Sequence, residues 1–329
     1  GAALTIGFAS IFVGFFVFRV NHPAFFSFCY GPWVLYAWCR VTGARSPRGL
    51  FLALLGLIAA NGMLLTSGTA KEAYVSLFTM NFAGVMMLLC DASPWSNRLR
   101  RLGGAVAAGG VFMLLTAPVW LTFLDAIRAS YSSYNAAFAF QLQPSLALGF
   151  FDEVLLRPFW ENEQVFNPSS NFLILLGVLA CLVNLRAIAA NGYALGAGLG
   201  ALLPVVFVFG LVPPRWIANL PFLGNIHHID NSFGVGLIHL FAVLAGFGFA
   251  RIATRLGEKE GRGDIAIAAL LLGGLVLHYI GLTQAVQRST YTALLWGQTV
   301  PRSFFVWGSL GALLLGALGL TFAARHLLR

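Results

Sequence analysis

Charged residues are scarce in this chain, at 9% against the roughly 25% of ordinary soluble domains. Only two lysines occur, Lys71 and Lys259, and they follow Ala70 and Glu258. A phosphate-cradling loop needs Gly-Lys, so no such loop is present and ATP hydrolysis by this chain is not expected. The four cysteines, Cys29, Cys39, Cys90 and Cys181, form no C-x-x-C pair and sit in or beside apolar runs. They read as small buried hydrophobes, not as a redox or metal motif. H-E-x-x-H, G-x-S-x-G and a strand-turn-helix G-x-G-x-x-G are all missing. No metal or other cofactor is expected. Nor is a nucleic-acid partner: the formal charge is +9, but no basic cluster is interleaved with polar sequence.

What the chain does have is apolar sequence. Hydrophobic residues make up 59% of the 329, with 30 Phe and 37 Gly. A water-soluble protein of this length cannot hide that much apolar surface in one core. The bilayer is the solvent that suits it. Spanning helices need about 20 apolar residues, and runs of that kind lie near 3–19, 23–40, 50–67, 74–91, 102–121, 171–188, 193–212, 232–250, 265–284 and 304–324. Lipid cannot satisfy free backbone groups, and these runs are too long and too uniform for barrel strands. The expected fold is therefore all-α, a polytopic transmembrane helical bundle of about ten spans, with membrane lipids as its surroundings.

The basic residues orient the bundle. If the first span starts in the cytoplasm, 13 of the 20 Lys and Arg fall at inner ends, among them Arg40, Arg45, Arg48, Arg98, Arg100 and Arg101. The other 7, including Arg19, Lys71, Arg157 and Arg215, fall outside. That excess favours an inner-membrane protein with both ends of the sequence in the cytoplasm. Three regions follow: a five-span half at 1–121, an extracytoplasmic loop with an interfacial helix at 122–170, and a second five-span half at 171–329. The interfacial helix is suggested by Tyr131, Tyr134, Phe138 and Phe140. Residues 1–20 are too long and too poor in flanking charge for a signal peptide, so a processed or truncated start is expected. Gly192, Gly196 and Gly200 form a small-residue ladder that reads as close helix packing.

Four outward clusters are the candidates for chemistry. In the first, Thr66 to Glu72, hydroxyls and Lys71 precede a helix N-terminus, where backbone N–H groups favour anions such as a phosphate. A capped turn with a snorkelling lysine explains the same residues. The second joins Asp152, Glu153 and Arg157 with Trp160, a set suited to sugar hydroxyls and to acid/base work, or simply to a solvated loop. The third holds Arg215 and then His227, His228 and Asp230 at the start of a span. Adjacent histidines face different sides, so they do not readily share one metal. One of them with Asp230 suits a proton relay or a polar head group, and Asp230 or Asn231 equally suits a helix cap. The fourth is His22 before Pro23, a short turn where a structural histidine is the plain reading.

Three passages carry a family resemblance. They are His22-Pro23-Ala24-Phe25-Phe26 through Trp38, Gln143-Pro144-Ser145-Leu146 through Pro158, and Leu220-Pro221-Phe222-Leu223 through Phe233. In span order and loop order the chain resembles the later part of the YfhO-like bacterial membrane proteins, of the GT-C class of glycosyltransferases. The resemblance implies transfer of a sugar from a polyprenyl-phosphate carrier at the outer face. It also implies a catalytic carboxylate in the first outer loop. Here that loop, 19–22, has no acid, and His228 and Asn231 stand where the family has basic residues, so no catalytic residue is carried over. Two other classes compete: a non-catalytic membrane subunit with protein partners, and a transporter or flippase. The latter would need ionisable groups at mid-depth, where His239 and His278 are the candidates.

Overall fold

The computed structural model describes residues 1–20, 22–129, 140–142, 150–151, 168–217, 219, 223, 226–255, 263, 266–267, 269–274 and 277. Among these every regular element is helical. The helices are α1 Ala2–Ile11, α2 Gly14–Arg19, α3 Ala24–Thr42, α4 Pro47–Thr66, α5 Ala70–Cys90, α6 Trp95–Leu115, α7 Ala117–Ala129, α8 Phe172–Val183, α9 Leu185–Ala189, α10 Gly192–Val208, α11 Pro214–Ile217 and α12 Ile229–Arg255. Three of them, α4, α5 and α12, are long and apolar enough to cross a membrane, and a fourth span results if the bent pair α6–α7 counts as one. Large apolar side chains such as Phe51, Phe78 and Leu114 are exposed on these helices, as expected of surfaces that face lipid instead of water. These features make the chain a membrane protein.

Several expected spans are shorter or broken. The run at 3–19 divides at Phe12–Val13 because its backbone finds partners elsewhere. The N–H groups of Gly14 and Phe15 donate to the carbonyls of Ser170 (3.3 Å) and Ser169 (3.0 Å). The run at 171–188 breaks at Asn184, whose amide turns back to the Ala180 carbonyl. The fifth helix starts earlier than expected, at Trp95, and turns by 61° after Leu115. Pro118 there lacks an N–H to continue the ladder, and across the bend the Trp120 indole donates to the Met113 carbonyl (2.9 Å). An amphipathic α7 follows at 117–129, upstream of the aromatics that suggested an interfacial helix; residues 131–139 lie outside the described residues. The runs at 265–284 and 304–324 also lie largely or wholly outside them.

Contacts divide the chain into two compact units. One holds Gly1–Phe18, Leu142–Ile188 and the described residues from Phe241 on. Within it α8 and α12 approach at Gly177 and Gly248, where a Cβ on either would meet the other helix. Phe150, Phe151 and Phe241 form an aromatic cluster beside them, with ring centroids 5.6–5.8 Å apart.

The other unit holds Arg19–Gln141 and Ala189–Leu240. The glycine ladder explains its closest seam: a Cβ on Gly192, Gly196 or Gly200 would run into Cys90, Met87 or Ala83 respectively. As the α10 number rises the α5 number falls, so the two helices run antiparallel. At mid-height the Trp38 indole lies against Gly84 and donates to Asn81 Oδ1 (2.9 Å). Asn81 Nδ2 donates to Asn61 Oδ1 (3.0 Å) and to the Leu77 carbonyl (2.8 Å). This amide network ties α3, α4 and α5 where lipid supplies no competing partners. At the far end of α5, the buried Arg101 bridges Asp91 (3.1 Å), the Ser93 hydroxyl (2.9 Å) and the Ala44 carbonyl (2.8 Å). Arg98 closes the same turn by donating to the carbonyls of Ser93 and Leu89, both at 2.7 Å.

Candidate functional site

At the opposite end of this unit, short connections bring three helix starts together. The turn before α3 is held by His22, whose Nδ1 accepts from the Ala24 N–H (3.2 Å); that is the structural role its position suggested. The α4–α5 junction packs against this turn. A side chain on Gly68 would collide with the Pro23 carbonyl, so only glycine fits there. Next to it Ser67 donates to the Leu64 carbonyl (2.8 Å), and its oxygen lies 3.2 Å from Ser27 Oγ. Thr69 is the N-cap residue of α5, but its hydroxyl makes no capping bond. Glu72, in the first turn, supplies negative charge to the helix dipole instead.

The start of α12 is clamped to Phe140. The Phe140 N–H donates to the His227 carbonyl (2.6 Å), and the Asp230 N–H donates to the Phe140 carbonyl (3.1 Å). The His228 imidazole stacks flat on the Phe140 ring, with centroids 4.5 Å apart and planes within 5°. These constraints aim His228 Nδ1 at Asp230 Oδ1, 3.8 Å away and beyond hydrogen-bond range. Asp230 is only 1% exposed, and among the described residues Oδ1 has no hydrogen-bond partner. Such a group costs free energy to bury, about 1–3 kcal/mol even when neutral. Burial, and then the charges of Arg19 and His227, hold the His228 pKa below its ordinary value. Its imidazole is therefore neutral at neutral pH and able to accept a proton.

Arg19, at the end of α2, supplies the opposite charge. Its guanidinium interacts electrostatically with both Glu72 and Asp230. Two helix starts far apart in sequence thus share one cation. Lys71, next to Glu72, sits about 100° around the helix from it and lines a different feature. This is an apolar slot of about 150 Å³ between α5, α6 and α7, walled by Tyr74, Phe112, Trp120, Phe123 and Leu124.

Of the candidates named from the sequence, His227, His228 and Asp230 come together, and Lys71 belongs to the neighbouring helix turn. Arg215 lies exposed on α11, apart from the hydrogen bonds that build this cluster; the Asn219 amide donates to its backbone carbonyl (3.0 Å). Asp152, Glu153 and Arg157 lie outside the described residues. The sequence marks Glu72 only as the end of the Thr66–Glu72 cluster, Phe140 only as an interfacial aromatic and Arg19 only as an outward charge, with nothing to tie the three to His228 and Asp230. The one signal available was that Arg19 and Glu72 are charges at the ends of apolar runs. Among the described residues no group of three His, Cys, Asp or Glu is placed to hold a metal ion.

The arrangement offers a buried proton acceptor, a neutral imidazole and a guanidinium, with an apolar slot on the next face of α5. No protein-family model, no curated protein and no solved structure matches this chain.

Proposed function

We propose that this protein is a membrane-embedded glycosyltransferase that draws its sugar from a polyprenyl-phosphate carrier at the non-cytoplasmic face of the inner membrane. In this reading the bundle has about ten spans, residues 1 and 329 face the cytoplasm, and the Asp230 end faces outward. The observation that carries the proposal is Asp230, a carboxylate removed from water whose Oδ1 is left without a hydrogen bond beside His228. A fold tolerates such a group most readily where it has work to do.

The chemistry balances with these residues. The acceptor hydroxyl gives its proton to Asp230 as its oxygen bonds to the anomeric carbon. The bond from that carbon to the phosphate oxygen breaks, and polyprenyl phosphate leaves. Arg19 meets the charge on the phosphate, and His228 takes the proton onward from Asp230. The slot lined by Lys71 and Trp120 accepts the isoprenoid next to the phosphate. Asp152, Glu153 and Arg157 are assigned to the sugar and acceptor hydroxyls, and Arg215 to the phosphate as it arrives.

The test uses the full chain in proteoliposomes with a polyprenyl-phosphate-linked hexose and a cell-envelope acceptor fraction. Release of polyprenyl phosphate should require the chain and fall about 10²–10⁴-fold in Asp230→Asn. No release by the folded wild-type protein, or equal release by the variant, removes the proposal.

One observation favours a second reading, proton-coupled transport. His239 is buried in α12, nine residues below Asp230 and so about 14 Å deeper, against Gly31 of α3. On the facing helix Ser76 and Thr79 are buried, and among the described residues their hydroxyls have no hydrogen-bond partner. Solute uptake that responds to His239→Asn, with no sugar transfer, would select this reading.

A further inference from the structure

The arginine-rich end of the same unit carries a second feature, which the transfer reading does not use. Between α3 and α4 lies an open lateral groove of about 410 Å³. Its floor is made by small residues, Ala53, Gly56 and Ala60, and its rims by Trp33, Tyr36 and Met63. The Trp33 and Tyr36 rings meet edge to face at 6.4 Å. The groove spans eight residues of α3, from Trp33 to Arg40, and twelve of α4, from Leu52 to Met63. At 1.5 Å per residue it is about 10–16 Å long. Nothing lies within 4 Å of where a Cβ on Gly56 would stand, so the floor is open.

The mouth of the groove differs from its walls. Arg40 lines it there, is exposed, and has no hydrogen-bond or ion-pair partner among the described residues. Arg45 and Arg48, at the start of α4, are likewise exposed and partner-free among them. By contrast Arg98 donates to two backbone carbonyls at this end, both Arg101 Nη groups are hydrogen-bonded, and the nearby acid Asp91 is bound to Arg101. The unspent charge is thus positive and borders an apolar trough that runs toward the bilayer interior. An acyl chain satisfies the trough, and an anionic headgroup satisfies Arg40.

We infer that the α3–α4 groove is a binding site for one anionic glycerophospholipid, its acyl chain over Gly56 and its phosphate on Arg40. The charge argues against the other natural occupant, an apolar helix seated on Gly56 and Ala60, which would leave Arg40 unmatched. The site rests on this groove alone and stands or falls independently of sugar transfer.

The experiment is native mass spectrometry of the full chain released from detergent, with phosphatidylglycerol or phosphatidylcholine added at equal concentration. One phosphatidylglycerol should stay bound at activation energies that strip phosphatidylcholine. Arg40→Gln, a change at an exposed position, should lower the retained fraction about tenfold. Gly56→Trp should abolish retention by filling the floor, while Arg100→Gln, an exposed arginine on α6 outside the groove, should leave it unchanged. Equal retention of the two lipids, or equal retention by Arg40→Gln and wild type, overturns the inference. So does a wild-type dimer that Gly56→Trp converts to monomer, since the occupant would then be a second copy.

Discussion

The two ends of the α3–α5 bundle each carry one aspartate beside a helix terminus, and the two are treated in opposite ways. Asp91, just past α5, is partly exposed, bonded to the Ser93 N–H (3.2 Å) and paired with Arg101. Asp230, at the start of α12, is almost fully buried, and its nearest imidazole stands off at 3.8 Å. The first acid has every partner a stabilising ion pair needs. The second is buried with Oδ1 unbonded, and has only the charge of Arg19, without a direct ion pair, to offset it. The proposed function assigns work to the second acid on that difference, because a buried carboxylate with an unbonded oxygen lowers stability unless something else selects for it.

Neutralising each acid should break the comparison most sharply. Asp230→Asn should cut polyprenyl phosphate release about 10²–10⁴-fold while leaving thermal unfolding unchanged or slightly higher. Asp91→Asn should do the reverse, lowering the midpoint and sparing release. Next in size is Arg101→Ala, which removes three bonds and strands Asp91. It should cost about 2–3 kcal/mol by denaturant unfolding in detergent, less than a fully buried pair because Asp91 keeps a fifth of its side-chain exposure. Asn81→Leu, between the two ends, should cost about 0.6–1.7 kcal/mol, the range seen for polar contacts between membrane helices.

Acid should separate the ends by a smaller effect. His228 has a lowered pKa in the folded protein, so the stability that goes with its neutral form is complete above the ordinary histidine value of about 6.5 and drains away below it. Burial pushes the Asp91 pKa up, but its hydrogen bonds from Ser93 and the charge of Arg101 outweigh that and bring it below the usual carboxylate value of about 3.9. Its stabilisation is lost only as pH falls through that lower range. Hydrogen exchange, corrected for intrinsic rates, should therefore loosen residues 227–232 between pH 7.5 and 5 while residues 89–93 stay protected. Simultaneous loosening of both segments would mean the two ends are not distinct.

Much of this architecture was legible as sequence, and the parts that were not share a cause. The runs that became α3, α4, α5 and α12 are set by apolar length, which acts locally. The Gly192–Gly196–Gly200 ladder was legible because small residues at helical spacing have few other uses. The break at Phe12–Val13 was hidden, since it comes from pairing with Ser169 and Ser170 more than 150 residues away. The candidate site was half visible. His227, His228 and Asp230 announce themselves as polar residues at the edge of an apolar run. Arg19 and Glu72 acquire meaning only when the helix starts converge on Asp230, and Phe140 only when its backbone fixes the direction of His228.

The most direct measurement is polyprenyl phosphate release by wild type, Asp230→Asn and Asp91→Asn in parallel, each alongside its unfolding midpoint. The account predicts loss of release with a retained midpoint for Asp230→Asn, and retained release with a lowered midpoint for Asp91→Asn. If both variants merely lower the midpoint, or if Asp230→Asn releases polyprenyl phosphate as fast as wild type, Asp230 is a structural acid and the proposed chemistry is contradicted.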